Sequence, residues 1–422
     1  MAFIIVEAVL LFWMRPGSSG PSPELLATPT PSPTALAQNK AGSLLGQDNT
    51  THFDAAQTQK IINANYPGFP NPSGSGITKV TFHYRSTLPD GQPITVYGRA
   101  YLPDAPKNKL PIFAFAPGTT GIDDKCAASL EKPTLANWAN YDSHMATYAA
   151  HGYASVITDY EGMRDPKRLH HYMVGELEGR AVLDSVRALR QLPQARGRLL
   201  DAVYFGGYSQ GGHAAYWADK IAPSYASDVK PLGVVGFGPV MSVKQTLTDI
   251  ARGANINWFG PNVLLSYRSY YGGTYPNIVL PAREPNLGAE VLAHCIDTDL
   301  SHWGHVPANI YTPEFIQAAL SDQMSTFFPE FTAALEANTV GLDPTPSAKR
   351  INQGARDNVV LPAQQIPAAA MLCQSSSGPV QHIVYPNATH YDTMLQSFND
   401  TLAWMKALQN GETVPSTCTP QP

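Results

Sequence analysis

The chain has 422 residues, 43% hydrophobic and only 14% charged, enough for one large domain with insertions or for two domains. Its net charge is −5 without a long basic run, which disfavours nucleic acid as a partner. No His-Glu-x-x-His or similar ligand spacing occurs, so a metalloenzyme is disfavoured and we expect neither a metal nor a cofactor.

The first fifty residues differ in composition from the rest. Residues 1–15 are mostly apolar and resemble the hydrophobic part of a signal peptide, although Glu7 interrupts the run. The run is too short for a good membrane span. Residues 16–50 are rich in Pro, Ser, Thr and Ala and predict a disordered linker. A signal followed by such a linker indicates a secreted, extracellular, periplasmic or cell-surface protein.

Apolar patterning predicts the first part of a core over residues 51–239. Two alternating runs, 78–86 and 94–102, flank an Asp-Gly pair and predict an antiparallel hairpin at the edge of a sheet. Continuous apolar runs predict buried strands, and amphipathic spacing predicts helices between them. The strands are expected at 110–116, 154–158, 202–206 and 234–238, and the helices at 137–150 and 173–192. This alternation predicts an α/β fold, a mostly parallel sheet with helices on both faces.

The pattern changes after residue 239. Residues 240–340 hold helical runs and aromatic clusters but no clear strand, and predict a helical cap insertion over the site. The second part of the core follows over 341–422. It includes strands at 350–354 and 380–385 and a helix at 364–373.

One five-residue motif carries the strongest chemical signal. Gly207-Tyr208-Ser209-Gln210-Gly211 lies between a buried strand and a helix, the context of the nucleophile elbow of an α/β-hydrolase. The turn would strain the backbone of Ser209, and a Cβ at Gly207 or Gly211 would crowd it. The simpler alternative is an ordinary glycine-rich turn between strand and helix.

The partners of Ser209 follow from chain order. An α/β-hydrolase places its acid and then its histidine after the nucleophile. Asp357 follows the strand at 350–354, and His390 follows the strand at 380–385. His390 would take the serine proton, and Asp357 would orient the imidazole. The simpler alternatives are a turn residue for Asp357 and a surface-loop residue for His390.

The tetrahedral intermediate also needs N–H donors for its oxyanion. The backbone N–H of Gln210 is one donor, because Gln210 follows the nucleophile. The second donor should come from the loop Pro117-Gly118-Thr119-Thr120-Gly121, where the backbone N–H of Thr119 or Thr120 is expected.

The chain has four cysteines: Cys126, Cys295, Cys373 and Cys418. None forms a Cys-x-x-Cys pair, which disfavours a zinc site or a thioredoxin-like motif. An even number in an exported chain predicts two disulfides with three pairings open, whereas four free thiols would fit a cytosolic enzyme.

Several motifs between about residue 78 and residue 418 occur together in one known family. They are Gly118-Thr119-Thr120-Gly121, Cys126-Ala127-Ala128-Ser129, Asp159-Tyr160-Glu161-Gly162, Val182-Leu183-Asp184-Ser185-Val186-Arg187-Ala188 and Gly207-Tyr208-Ser209-Gln210-Gly211-Gly212, with Asp357 and His390. In these motifs the chain resembles the secretory lipase family, the lipase A type of α/β-hydrolase. The resemblance implies a secreted lipase or esterase with a helical cap. It also implies that Cys126 pairs with Cys295, which leaves Cys373 and Cys418 as a second pair. Tyr391 departs from the family pattern, since many relatives have Gly after the catalytic His.

The sequence thus favours a secreted serine carboxylester hydrolase that cleaves acyl esters through an acyl-enzyme intermediate. Its partners would be a small-molecule or lipid ester and, transiently, a lipid interface. An acyltransferase or serine peptidase of the same fold is the alternative. A non-catalytic binding protein is disfavoured by the complete set of Ser209, Asp357 and His390.

Overall fold

A computed structural model describes residues 40–132, 138–254 and 256–418. The apolar segment 1–15 and residues 16–39 of the expected linker lie outside these residues. The linker boundary predicted at residue 50 is wrong, because strand β1 (Leu44–Phe53) already begins at Leu44. Half of the side chains of β1 are polar and exposed, so the strand has no apolar pattern that the sequence could reveal.

The centre of the molecule is one nine-stranded sheet in the order β1-β2-β3-β5-β4-β6-β7-β8-β9. β1, β2, β3 and β5 pair antiparallel, and the pairs from β5 through β4 to β9 are parallel. The mostly parallel sheet agrees with the predicted fold class. After β1, the strands are β2 (Ile77–Thr87), β3 (Pro93–Pro103), β4 (Leu110–Ala116), β5 (Ala154–Thr158), β6 (Leu199–Tyr208), β7 (Pro231–Phe237), β8 (Ala348–Gly354) and β9 (Val380–Tyr385).

The predicted hairpin is formed by β2 and β3, but it does not lie at the edge of the sheet. β1 pairs with β2 along nearly its whole length and takes the edge position. The helix expected over 137–150 begins only at Tyr141, because Asn140 has a left-handed backbone with φ of 51°.

Helices cover both faces of the sheet. One face packs against α3 (Gly175–Leu189), α4 (Gln210–Tyr225) and α12 (Pro362–Ser375). The other face packs against α1 (Ala55–Asn63), α2 (Tyr141–Ala150), α13 (Thr393–Gln396) and α14 (Phe398–Gln409). Alternate residues of β6 enter the two cores, with Phe205 on the first face and Tyr204 on the second.

Between β7 and β8 the described residues form seven α-helices with their own apolar core. We call this segment the cap. Among the described residues, no helix combines the length and apolar character needed to cross a bilayer. The cap helices are α5 (Val243–Ala251), α6 (Phe259–Tyr271), α7 (Leu287–Ala293), α8 (Ile296–Trp303), α9 (Pro313–Leu320), α10 (Met324–Phe327) and α11 (Pro329–Glu336).

Candidate active site

Ser209 lies at a sharp turn between β6 and α4. Its φ of 57° and ψ of −117° are unfavourable for a residue with a side chain. A Cβ on Gly207 would lie 1.8 Å from the carbonyl oxygen of Gly211, and one on Gly211 would lie 1.9 Å from that of Ala116. Both glycines are therefore required by space, as expected for a nucleophile elbow.

His390 and Asp357 form a buried pair. His390 follows β9 and Asp357 follows β8, and the imidazole Nδ1 lies 2.7 Å from Asp357 Oδ2. The other carboxylate oxygen accepts the backbone N–H groups of Val359 and Val360, each at 2.9 Å. Gln353 Nε2 also donates to Oδ2 at 3.1 Å. Since all these neighbours donate, the carboxylate is held as an acceptor, Nδ1 carries the imidazole hydrogen, and Nε2 of His390 keeps a free lone pair.

Gly238 is a site residue that the sequence did not reveal. It follows β7 with φ of 52°, and an added Cβ would lie 2.9 Å from His390 Nδ1 and 3.1 Å from Asp357 Oδ2. The histidine and aspartate can therefore approach each other only if residue 238 lacks a side chain. Gln353 was also missed, because nothing in the sequence links it to Asp357.

Three tyrosines hold the expected oxyanion loop. The N–H of Gly118 donates to the Tyr141 hydroxyl at 2.7 Å, and the Tyr160 hydroxyl donates to Pro117 O at 2.6 Å. The Thr119 hydroxyl lies 2.7 Å from that of Tyr172. These tyrosines come from three separate segments, so the loop is fixed from several sides.

The two threonines of this loop have different surroundings. Thr119 lines the same cavity as Ser209 and His390. Thr120 is 1% exposed, and its carbonyl oxygen accepts the N–H of Ile296 in the cap at 3.0 Å. The geometry therefore favours Thr119 over Thr120 as the second oxyanion donor.

Glu131 supports the loop indirectly. Its buried carboxylate accepts the backbone N–H groups of residues 138–141 at 2.8–3.0 Å. A carboxylate stabilises a helix start in this way, and α2 begins at Tyr141. Glu131 therefore fixes the tyrosine that holds Gly118. No sequence pattern indicates this contact, since residue 131 is not the N-cap of α2.

The side chain of Gln210 is fixed beneath the elbow. Its Nε2 donates to Glu178 Oε1 at 2.7 Å and lies 3.2 Å from His170 Nε2. Burial lowers the pKa of His170 and keeps it neutral, while its Nδ1 donates to Glu161 O at 2.9 Å. His170 Nε2 is therefore an acceptor for Gln210. These contacts hold the residue whose backbone N–H is the first oxyanion candidate.

Glu178 also pairs with a second buried histidine. His213 Nε2 donates to Asn338 O at 2.7 Å, and Nδ1 lies 2.8 Å from Glu178 Oε2. Because Asn338 lies just after α11, the last cap helix, this chain of contacts joins α3, α4 and the end of the cap.

The cavity above Ser209 has a volume of about 360 Å³. Its wall is built from both core and cap and contains polar and apolar surface in about equal parts. The apolar part suits a hydrophobic acyl or alcohol group. Its apolar lining includes Ile256, Trp258, Ile296, Leu300, Val359 and Tyr391.

Two disulfides have the pairing that the family resemblance implies. Cys126 is bonded to Cys295, and Cys373 to Cys418. The first bond joins the segment after the oxyanion loop to the start of α8, where Gly121 and Cys295 also form a β-bridge. Within the described residues, no group of three or more His, Cys, Asp or Glu side chains could hold a metal ion.

Comparison with known sequences shows that part of the chain is similar to one family of proteins. The family model described as secretory lipase matches residues 138–265. Lipase A of Moesziomyces aphidis is 28% identical over 202 residues, which cover 44% of this chain and 40% of that protein. The chain therefore aligns with less than half the length of that relative.

Solved structures extend the likeness over most of the fold. Candida antarctica lipase A in its closed state superposes with a TM-score of 0.66 at 19% identity, covering 91% of this chain and 86% of that one. The rice cell wall degrading esterase LipA from Xanthomonas oryzae gives a TM-score of 0.68 at 17% identity, covering 87% and 97%. At these identities the comparison establishes a common fold.

Proposed function

Because the chain resembles the secretory lipases and has an α/β-hydrolase fold, we propose that it is a serine carboxylester hydrolase. Ser209 is the nucleophile, His390 the general base and acid, and Asp357 the residue that orients the imidazole. The observation that carries this proposal is the buried His390–Asp357 pair, at 2.7 Å, beside the strained turn that presents Ser209. The cavity that contains Ser209 and His390 has both polar and apolar side chains in its wall, which suits a small-molecule or lipid ester.

The first half of the reaction forms an acyl-enzyme. Ser209 Oγ attacks the ester carbonyl carbon while His390 Nε2 takes the hydroxyl proton, and the carbonyl electrons move to oxygen. The tetrahedral intermediate then collapses, the bond to the alcohol oxygen breaks, and His390 gives its proton to that oxygen. Asp357 stabilises the imidazolium that exists between these two proton transfers.

The second half repeats the chemistry with water. A water molecule gives a proton to His390 and attacks the acyl carbon, and Ser209 leaves with that proton as a free hydroxyl. The negative oxygen of both intermediates faces the backbone N–H groups of Gln210 and Thr119. Each such donor typically contributes about a hundredfold or more to the rate.

We assign the enzyme to the outside of the cell. The secretory lipase match and the two disulfides support this location, since disulfides persist in oxidising compartments. Transient contact with a lipid surface is part of this proposal, and three exposed apolar side chains of the cap are available for it. These are Leu300 at 36%, Val306 at 53% and Phe327 at 61% exposure.

The test is hydrolysis of p-nitrophenyl esters, from acetate to palmitate, by the wild type and by Ser209→Ala. We expect the wild type to hydrolyse part of this series and the variant to lose activity by several orders of magnitude. Ser224→Ala is a matched control, because Ser224 is an exposed serine near the C-terminal end of α4, the helix that follows Ser209. A folded wild type that cleaves no ester, or activity that survives Ser209→Ala, would contradict the proposal. Transfer of the acyl group to an added alcohol, or cleavage of a peptide, would then identify the alternative reaction.

A further inference from the structure

We propose that the side-chain hydroxyl of Thr119 is a third donor to the oxyanion and that Tyr172 is the residue that positions it. The inference rests on the proposed function and adds a side-chain donor to the two backbone N–H groups. It follows from which acceptors are available to the hydroxyl hydrogens of Thr119 and Tyr172.

Each of the two hydroxyls carries one hydrogen and can also accept. Their oxygens lie 2.7 Å apart, so one of them donates to the other. Tyr172 is 1% exposed, and within the described residues Thr119 Oγ1 is the hydrogen-bond partner found for its hydroxyl. Burial also raises the pKa of Tyr172, so the phenol keeps its hydrogen. A buried phenol without an acceptor would be costly, so Tyr172 donates and Thr119 accepts.

The hydrogen of the Thr119 hydroxyl is then free for another acceptor. None is found for it in the described part of the chain, and Thr119 lines the cavity with Ser209 and His390. A bound substrate would supply the acceptor, and the charged oxygen of the intermediate would accept more strongly than the ground-state carbonyl. The hydroxyl therefore favours the transition state over the substrate.

The donor is held before substrate arrives. The loop is fixed at Pro117 and Gly118 by two tyrosine hydroxyls, and the β-branched side chain of Thr119 has restricted rotation. Accepting the phenol hydrogen also polarises the threonine O–H and strengthens it as a donor.

Tyr172 itself is positioned by the cap. Its backbone N–H donates to Ser266 Oγ at 3.0 Å, and its ring meets Phe259 edge to face with centroids 5.7 Å apart. Ser266 and Phe259 both belong to α6. The position of α6 thus determines whether Tyr172 can donate to the Thr119 hydroxyl. In this way Tyr172 links the cap to the proposed oxyanion site.

The test compares Thr119→Val, Thr119→Ser and Tyr172→Phe. Valine keeps the shape and the backbone N–H but removes the hydroxyl, so we expect kcat to fall by about thirtyfold to a hundredfold with little change in KM. Serine keeps the hydroxyl and should stay within a few-fold of wild type. Tyr172→Phe should give an intermediate loss of kcat, because the Thr119 hydroxyl remains but no longer accepts a hydrogen bond from Tyr172. Thr81→Val on β2, remote from the cavity, is the matched control.

A second readout separates this inference from the proposed function. A fluorophosphonate labels an activated serine and places its phosphoryl oxygen in the oxyanion site, so the rate of Ser209 labelling, followed by mass spectrometry, needs no ester turnover. Slower labelling of Thr119→Val than of wild type or Thr119→Ser supports the donor even if no ester is hydrolysed. Wild-type rates of both labelling and turnover in a folded Thr119→Val would overturn the inference and leave the proposed function intact. A wild type that is neither labelled nor hydrolytic would overturn both.

Discussion

Gly238 controls the geometry of the candidate site although it has no reactive group. Its N–H donates to Asn352 O at 2.8 Å, which fixes the end of β7 against β8. The left-handed backbone at φ of 52° then turns the chain beside His390 and Asp357. A side chain here would meet both the His390 imidazole and the Asp357 carboxylate.

We therefore expect Gly238→Ala to reduce kcat by about a hundredfold, the cost of a small misplacement of a catalytic group. It should also lower the free energy of unfolding by about 1–2 kcal/mol, since alanine is strained in this conformation. Ester hydrolysis and urea unfolding measure the two effects.

Gly152→Ala separates the two causes. Gly152 also has a positive φ, of 91°, but a Cβ there would meet nothing within 4 Å. This variant should lose similar stability and keep its activity. Equal activity in the two variants would show that the space beside His390 is not required.

The sequence could indicate Ser209, Asp357 and His390 as candidates because their order and their places after strands follow a known pattern, and the structure brings His390 and Asp357 into contact. It could not supply Gly238, Gln353 or Glu131. Their roles depend on contacts between segments that are far apart in the chain or that only the folded turn brings together, and glycine, glutamine and glutamate occur in many other settings.

At the scale of elements, α8 joins the cap to the site. The N–H of Ile296 bonds to Thr120 O in the oxyanion loop, and Ile296 and Leu300 line the cavity. Asp299 on the same helix is 1% exposed, and neither of its oxygens has a hydrogen-bond partner in the described residues. Burial raises the pKa of Asp299 to about 7, and the negative charge of Asp297 adds a smaller effect in the same direction.

This carboxyl group should make stability depend on pH. In the unfolded chain an aspartate has a pKa of about 4, so between about pH 4 and pH 7 the folded state binds more protons. The free energy of unfolding therefore falls as pH rises through this range, by up to about 3 kcal/mol, and stays low above pH 7. Urea unfolding of wild type and Asp299→Asn at pH 5 to 8.5 should show a smaller fall in the variant.

Asp322→Asn is the control, because its side chain is 94% exposed. It should keep the wild-type dependence. If the free energy of unfolding of Asp299→Asn falls with pH as much as that of the wild type, the buried carboxyl group does not cause the pH dependence.

The elements themselves were predicted to very different degrees. β4 and β5 have the predicted bounds, since a strand buried at every position reads as a continuous apolar run. β9 also has the predicted bounds, although it is a partly exposed edge strand. β1 was missed because an exposed edge strand shows no such run. The cap helices were expected as a group. Their arrangement could not be predicted, since it depends on packing between helices rather than on local pattern.

For the whole molecule, the disulfides connect parts that are distant in sequence. Cys126 and Cys295 are separated by 169 positions, and Cys373 and Cys418 by 45. Closing loops of these lengths stabilises the fold by about 5 and about 4 kcal/mol in the chain-entropy treatment. The first bond joins core to cap next to the oxyanion loop, whereas the second joins α12 to the C-terminal segment.

The two bonds should therefore affect stability alike and activity differently. We expect the double variant Cys126→Ser and Cys295→Ser to lower both the Tm and kcat, because the contact between Thr120 and Ile296 loses its covalent support. Cys373→Ser with Cys418→Ser should lower the Tm and leave kcat near the wild-type value at temperatures where it stays folded. Thermal unfolding and ester hydrolysis at 20 °C measure both effects on the same samples. Equal loss of kcat in the two double variants would contradict a specific link between cap and oxyanion loop, because both variants would then act only through general stability.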